Sequence, residues 1–165
     1  MPEDLIDLIM SCVTLVSTSI LFNEEALDPI YPTRGIRQGG SLSPYLFILC
    51  MDFLGQLIEE KCSKKLWQPV KASQRDPAFS HLLFANDLVF FARADYVNCF
   101  AITDVLDTFC NMTRQSVSES KSKVYFLPNV DRDTKESLCD ILGFSSTHFL
   151  GKNLRIPMKQ LGTSS

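Results

Sequence analysis

The stretch HLLFANDLVFF, residues 81–91, places an amide and a carboxylate, Asn86 and Asp87, between two apolar runs. Asparagine and aspartate both tolerate positive φ, so the pair predicts a two-residue turn of a β-hairpin. A tight turn at a sheet edge can also present carboxylate oxygens, which are the ligands that hard divalent cations prefer. Taken alone, the stretch favours the structural turn over a metal site.

A glycine-rich loop precedes the strongest helical pattern in the chain. The segment RGIRQGGSLSPYLF carries Arg37, Gln38 and Gly39 just ahead of Ser43 and Pro44. Glycine lets the backbone approach a ligand closely, and a helix N-terminus next to arginines suits an anionic group. A flexible loop that leads into the helix cap at Ser43-Pro44 explains the same residues equally well.

These residues must be positioned by helices and strands. The hydrophobic patterns of the chain predict an α+β fold, with an antiparallel sheet and helices packed on one face. Apolar residues at helical spacing predict helices that begin near Pro2, Ser43, Asp95 and Asp131. Strands are predicted in VTLVSTSILF (residues 13–22), on both sides of the Asn86-Asp87 turn within residues 81–91, and in SKVYFLP.

Three finer predictions concern particular residues. A chain turn is expected near Asn23, Glu24 and Glu25, after the first predicted strand, with the chain returning through ALDPIYPTRG. The helix after Asp95 is expected to bury one apolar stripe, formed by Val97, Phe100, Ala101, Val105, Leu106 and Phe109. The aromatic residues Trp67, Tyr31 and Tyr45 are expected to pack rather than to stack on bases.

Composition narrows the class of protein. Apolar residues make up 45% and charged residues 21% of 165 residues, as in soluble globular domains. No run approaches the ~18 apolar residues of a membrane span, and the acidic N-terminus lacks the basic region of a secretory signal. We therefore expect no membrane association and an intracellular location, with nucleus and cytoplasm not distinguished. The six scattered cysteines lack paired spacing, which favours buried reduced thiols over a zinc site.

Charge is unevenly distributed along the chain. The net charge of −3 argues against bulk attraction to nucleic acid. Residues 1–30 hold six acids and no Lys or Arg, so the remainder has 16 basic against 13 acidic groups. That balance permits a local phosphate-binding face.

Four segments, in this order and spacing, resemble the reverse transcriptase domain of plant non-LTR (LINE-type) retrotransposons. They are RGIRQGGSLSPYLFILCMDFL, HLLFANDLVFF, RQSVSESKSKVYF and HFLGKNLRIPM, and they span roughly residues 30 to 160. The resemblance implies a partial, palm-like polymerase domain over residues 1–165, with a motif loop at 34–44 and a catalytic-type hairpin at 81–91. It also implies RNA-directed DNA synthesis with an RNA template, a DNA primer, dNTPs and Mg²⁺.

The resemblance assigns metal binding to the hairpin. Asp87 matches the second aspartate of the family's Phe-Ala-Asp-Asp pattern, whereas Asn86 stands where the first is expected. An amide oxygen can coordinate a hard cation but adds no negative charge, so Mg²⁺ binding is expected to be weakened.

The resemblance also assigns roles outside the hairpin. Arg37, Gln38 and Gly39 match residues near the incoming nucleotide and the template. Lys121 matches a lysine proposed as proton donor to the leaving pyrophosphate, and a solvated surface lysine is the alternative. A further match, to the segment that positions the primer end, consists of Phe149, Leu150 and Gly151.

Several departures from the family pattern bear on activity. The family's upstream aspartate has no match, and fingers and thumb are expected to be missing around this chain. Together with Asn86, these departures predict impaired catalysis. The alternatives are a non-catalytic nucleic-acid-binding remnant and a non-functional translated retroelement fragment. The sequence leaves the template and the oligomeric state open.

Overall fold

A computed structural model describes residues 3–31, 39–71, 73–84 and 87–148, without the side chain of Cys12. Four helices and six short strands occur in these residues, which confirms the predicted α+β class. Their order is α1 (Glu3–Thr14), β1 (Leu21–Phe22), β2 (Glu25–Ala26), α2 (Ser43–Ser63), β3 (His81–Phe84), β4 (Asp87–Phe90), α3 (Tyr96–Thr113), β5 (Lys123–Tyr125), α4 (Arg132–Leu142) and β6 (Ser145–Thr147). This mixture is consistent with part of a polymerase palm.

The named strands form three two-stranded sheets within the described residues, where a single antiparallel sheet was expected. The pairs β1–β2 and β3–β4 are antiparallel, and β5–β6 is parallel. Parallel strands need a crossover connection, which α4 supplies between β5 and β6.

The chain divides into two compact units, and the first, Met1–Met51, contains α1 and the β1–β2 hairpin. Asn23 and Glu24 adopt φ of 49° and 68° between the two strands, which confirms the predicted turn. The strand predicted over residues 13–22 is wrong for most of its length, because only Leu21–Phe22 forms a named strand. α1 continues to Thr14, and Thr18 makes an isolated antiparallel bridge with Ile30. The Thr14 hydroxyl donates to Met10 O at 2.8 Å, so the helix accommodates this β-branched residue.

The second unit, Asp52–Ser165, holds the buried core of the described residues. Its buried apolar side chains are Leu54, Ile58, Trp67, Cys99, Ala101, Ile102, Val105, Phe109 and Leu138. α2, α3 and α4 all contribute to this core. All of these buried side chains except Trp67 lie on helices.

The buried face of α3 differs from the predicted stripe. Ala101, Val105 and Phe109 are buried as expected, whereas Val97 and Phe100 are 54% and 59% exposed. The polar residue Asn98 is buried instead, at 1% exposure. Its side chain is hydrogen-bonded to Asp95 and to the Gln68 N–H. The spacing of apolar residues could not indicate a buried polar side chain.

No helix in the described part of the chain is long and apolar enough to cross a bilayer. The cysteines whose side chains are described are free thiols, of which Cys99 is buried and the other four are half-buried. Burial, with Asp95 and Cys139 nearby, raises the pKa of Cys99 to about 11.

Candidate functional site at the β3–β4 hairpin

The register of the hairpin sets the position of Asp87. Phe84 pairs with Asp87, and His81 pairs with Phe90 at the other end of the ladder. The connecting residues are therefore Ala85 and Asn86, which lie outside the described residues. The prediction that Asn86 and Asp87 form the two-residue turn is wrong by one position, because Asp87 is the first residue of β4.

Alternation along the strands puts Asp87 on the open face of the hairpin. Paired residues share a face, so Leu82, Phe84, Asp87 and Val89 lie on one side. Leu82 and Phe84 are 44% and 58% exposed, and Asp87 is also exposed. The carboxylate is thus accessible to a ligand from solvent.

The base of the hairpin is anchored by Trp67. The indole ring, which is fully buried, meets Phe90 edge-on at a centroid distance of 5.0 Å. Its Nε1 donates to Phe91 O at 2.9 Å. The Phe91 N–H in turn donates to Ser80 O at 2.7 Å, which extends the ladder beyond the named strands. The packing prediction is confirmed for Trp67 and wrong for Tyr31 and Tyr45, which are 68% and 67% exposed.

A cleft of about 380 Å³ opens between α2 and the base of the hairpin. Its lining includes the carboxylates of Asp52 and Glu59 and contains no Lys or Arg. His81 also lines it, and burial lowers the pKa of this imidazole, so it adds little positive charge near neutral pH. The cleft is therefore unsuited to a nucleoside triphosphate.

Gly39 and Lys121 are the other predicted site residues that the structure describes. Gly39 has φ of +81° and is exposed, a backbone conformation that favours glycine. Lys121 is exposed in a turn, where its N–H donates to Ser118 O at 3.1 Å. Gly39 belongs to the first unit, whereas Lys121 and Asp87 belong to the second. Lys121 and Asp87 form no ion pair with each other in the described structure.

The remaining predicted site residues lie outside the described residues. They are Arg37, Gln38, Asn86, Phe149, Leu150 and Gly151. Their assignments stay predictions.

A centre of two divalent ions requires several charged oxygen ligands close together. Within residues 3–31, 39–71, 73–84 and 87–148, no group of three or more His, Cys, Asp or Glu side chains could hold a metal ion. Asp87 offers one carboxylate. The described residues alone therefore do not fit a two-ion centre.

Asn98 was not singled out by the sequence analysis. It sits three residues after Asp95, whose Oδ1 accepts the Asn98 N–H at 2.9 Å and the Asn98 Nδ2 at 2.8 Å. The predicted helix start at Asp95 is confirmed, since Asp95 is the N-cap residue of α3. The third contact, from Gln68 N–H to Asn98 Oδ1 at 2.6 Å, joins segments 30 residues apart and required the tertiary structure.

Comparison with known proteins places the chain in a family. The family described as reverse transcriptase (RNA-dependent DNA polymerase) matches residues 2–154. An uncharacterized mitochondrial protein of Arabidopsis thaliana is 43% identical over 58 residues, which are 35% of this chain and 48% of that protein. The chain thus spans about half the length of this curated relative, and no solved structure matches. Because the family match covers most of its length, the chain belongs to the reverse transcriptase (RNA-dependent DNA polymerase) family.

Proposed function

We propose that the chain is a reverse transcriptase domain of the non-LTR (LINE-type) kind, with catalysis impaired at the β3–β4 hairpin. Its substrates would be those of the family, an RNA template, a DNA primer and dNTPs. The observation that supports the proposal is the placement of Asp87, an exposed carboxylate at the tip of an anchored hairpin, within the family match.

The expected impairment of catalysis follows from the number of negative charges at the tip of the β3–β4 hairpin. Divalent ions such as Mg²⁺, when bound, neutralise the charge that develops on the transferring phosphate. Affinity for such ions depends on the number of charged oxygen ligands. Asp87 supplies one negative charge, and its neighbour Asn86 supplies an amide oxygen without charge. We therefore expect the hairpin to bind Mg²⁺ weakly.

Other residues take their proposed roles from the family pattern. Lys121 would donate a proton to the leaving pyrophosphate, and its exposure makes it accessible for that step. Gly39, with Arg37 and Gln38, would contact the nucleotide and template, and its left-handed backbone suits a close approach. The primer end would be positioned by residues 149–151.

Titration with Mn²⁺, followed by the loss of the free-ion EPR signal, tests the metal site directly. We expect Asn86→Asp to bind Mn²⁺ about tenfold more tightly than the chain as given, because it adds a charged ligand. Asp87→Asn should remove this binding. Asp76→Asn, at an exposed carboxylate in the connector before β3, is the matched control and should change nothing. Equal binding by the chain as given and by Asp87→Asn would contradict the assignment of Asp87.

Primer extension on poly(rA) with an oligo(dT) primer and Mg²⁺ tests catalysis. We expect incorporation by Asn86→Asp to exceed that of the chain as given. Equal incorporation by the two proteins would refute impairment by Asn86.

A non-catalytic nucleic-acid-binding role is the second candidate. It is favoured by three exposed cations, Arg114, Lys121 and Lys123, in a stretch with one acid, Glu119. Binding of single-stranded RNA through these residues should weaken with salt, by a log–log slope of about −0.7 per phosphate contact. Lys121→Gln should make that slope shallower, and Lys135→Gln in α4 serves as a control. Retained RNA binding without incorporation by either hairpin variant would support this role over catalysis.

A further inference from the structure

The cleft between α2 and the base of the β3–β4 hairpin has the features of a small-ligand site. One face of α2 supplies most of its lining, because Asp52, Gln56 and Glu59 follow one another at helical spacing. Pro69, from the connector, and His81, the first residue of β3, line it from the other side. The cleft volume of about 380 Å³ lies within the range of small-molecule sites.

The two carboxylates of the cleft have no cationic partner among the described residues. The adjacent acid on the same helix, Glu60, forms an ion pair with Lys64, whereas Asp52 and Glu59 form none. Asp52 accepts a hydrogen bond from Gln56 Nε2 at 2.8 Å, which leaves its charge uncompensated. Both cleft carboxylates are exposed, so a dissolved cation can reach them. A cleft whose walls carry charge of one sign concentrates ions of the opposite sign.

The other groups of the cleft leave room for a cation and do not repel it. Burial lowers the pKa of His81, so its imidazole is mainly neutral near neutral pH, and its Nδ1 lies 2.9 Å from Ser80 Oγ. Gly55 lines the cleft between Asp52 and Glu59, and a Cβ added there would meet no atom within 4 Å. Glycine is unfavourable in a helix interior, but here it leaves open space against the backbone between the two acids.

The spacing of the two carboxylates indicates the class of ligand. Asp52 and Glu59 are two helical turns apart on α2, or about 10 Å along the helix axis. An extended spermidine places its outer nitrogens about 11 Å apart, by ordinary single-bond lengths. We propose that the cleft binds a linear polyamine, with one ammonium group at Asp52, another at Glu59, and the methylene groups against Gly55 and Pro69. This site goes beyond the proposed function of the hairpin and does not depend on it.

Calorimetric titration of the full chain with spermidine at low ionic strength tests the site. We expect Asp52→Asn and Glu59→Gln each to weaken spermidine binding at least about fivefold, because each leaves one ammonium group without its carboxylate. Glu60→Gln removes the same charge from the next residue of α2 and is the matched control, which should retain the affinity of the parent. Equal weakening by Glu59→Gln and Glu60→Gln would overturn the inference, because it would indicate diffuse attraction to an acidic surface.

A variant without a charge change tests the shape of the cleft. Gly55→Leu fills the space between the two carboxylates, and we expect it to weaken spermidine binding at least as much as Glu59→Gln does. Butylamine, which has one ammonium group and cannot reach both carboxylates, should bind to the parent chain far more weakly than spermidine. Full binding by Gly55→Leu, or equal affinity for the two amines, would contradict the proposed site.

Backbone NMR of the parent chain locates the bound amine and needs no variant. Spermidine should shift the amide resonances of Gly55 and His81 and leave those of α4 unchanged. Shifts spread over acidic residues throughout the chain, or no binding of spermidine at all, would refute the cleft as a polyamine site.

Discussion

Single atoms decide the chemistry that the hairpin can support. Asp87 and Asn86 differ by one carboxylate oxygen replaced by an amide nitrogen, which removes one negative charge from the tip. The identity of these residues, and the departure from the family pattern, could be read from sequence because both are local. The strand position of Asp87, opposite Phe84, could not be read from the sequence. The register of the β3–β4 hairpin depends on which of its two faces packs against Trp67.

Cys99 should be the slowest to react among the thiols whose side chains are described. Its pKa of about 11 leaves about one thiolate in 10³ near pH 8, and the thiolate is the reactive form. Timed alkylation with iodoacetamide, read by mass spectrometry, should modify Cys50 and Cys110 first. Modification of Cys99 ahead of both, without unfolding, would contradict this expectation.

The raised pKa of Cys99 also affects the stability of the fold at alkaline pH. The folded-state pKa of Cys99 is raised from 9.0 to about 11, so folding favours the protonated thiol. The stabilisation is present below pH 9 and is lost as the pH rises towards about 11. Cys99→Ser should flatten this part of the stability curve, measured by urea unfolding.

Helices whose ends are marked by capping residues were predicted more accurately than strands, which depend on packing against other segments. The helices after Asp95 and Asp131 begin where capping side chains occur, and α4 ends at Gly143 with φ of +72°. These signals act within one turn of helix. The strand expected over residues 13–22 forms only at Leu21–Phe22, with an isolated bridge between Thr18 and Ile30. β-branched residues favour a strand mainly through packing against neighbours, and most of this segment is exposed.

The start of α4 supplies an acid-sensitive contact. The Asp131 carboxylate accepts the Thr134 N–H at 2.9 Å, and the hydrogen bonds from Thr134 lower the pKa of Asp131. The carboxylate therefore stabilises the fold above its unfolded pKa of 3.8, and this contribution is lost as the pH falls through the lower folded value.

Thermal unfolding measured from about pH 6 to about pH 3 checks this contact. We expect Asp131→Asn, which can still accept the N–H, to lose less stability on acidification than the chain as given. Asp131→Ala should lower Tm at every pH. An identical acid dependence for Asp131→Asn and the parent would show that the carboxylate plays no such part.

At the scale of the whole molecule, burial is concentrated in one unit. The buried side chains of the described residues lie between Leu54 and Leu138, all in the second unit. In the first unit, α1 and the β1–β2 hairpin leave large apolar side chains such as Leu8, Leu15 and Phe22 at least 60% exposed. Local opening costs least where few apolar groups are buried.

Native-state hydrogen exchange should therefore separate the two units. We expect amides of α1 to exchange through openings of lower free energy than amides of α3, because α3 buries six side chains in the core. Equal opening free energies for the two helices would mean that the units unfold together.

The sequence by itself determined the α+β class, the helix starts at capping residues, the family, and the carboxylate–amide pair in the hairpin. All of these rest on residue identity and on contacts within a few positions along the chain. Only the tertiary structure decided that the strands form separate pairs, that Asp87 begins β4 and is exposed, that Trp67 anchors the hairpin base, and that Asn98 accepts the Gln68 N–H. The contacts of Trp67 and Asn98 are hydrogen bonds between segments 24 and 30 residues apart, which no local pattern records.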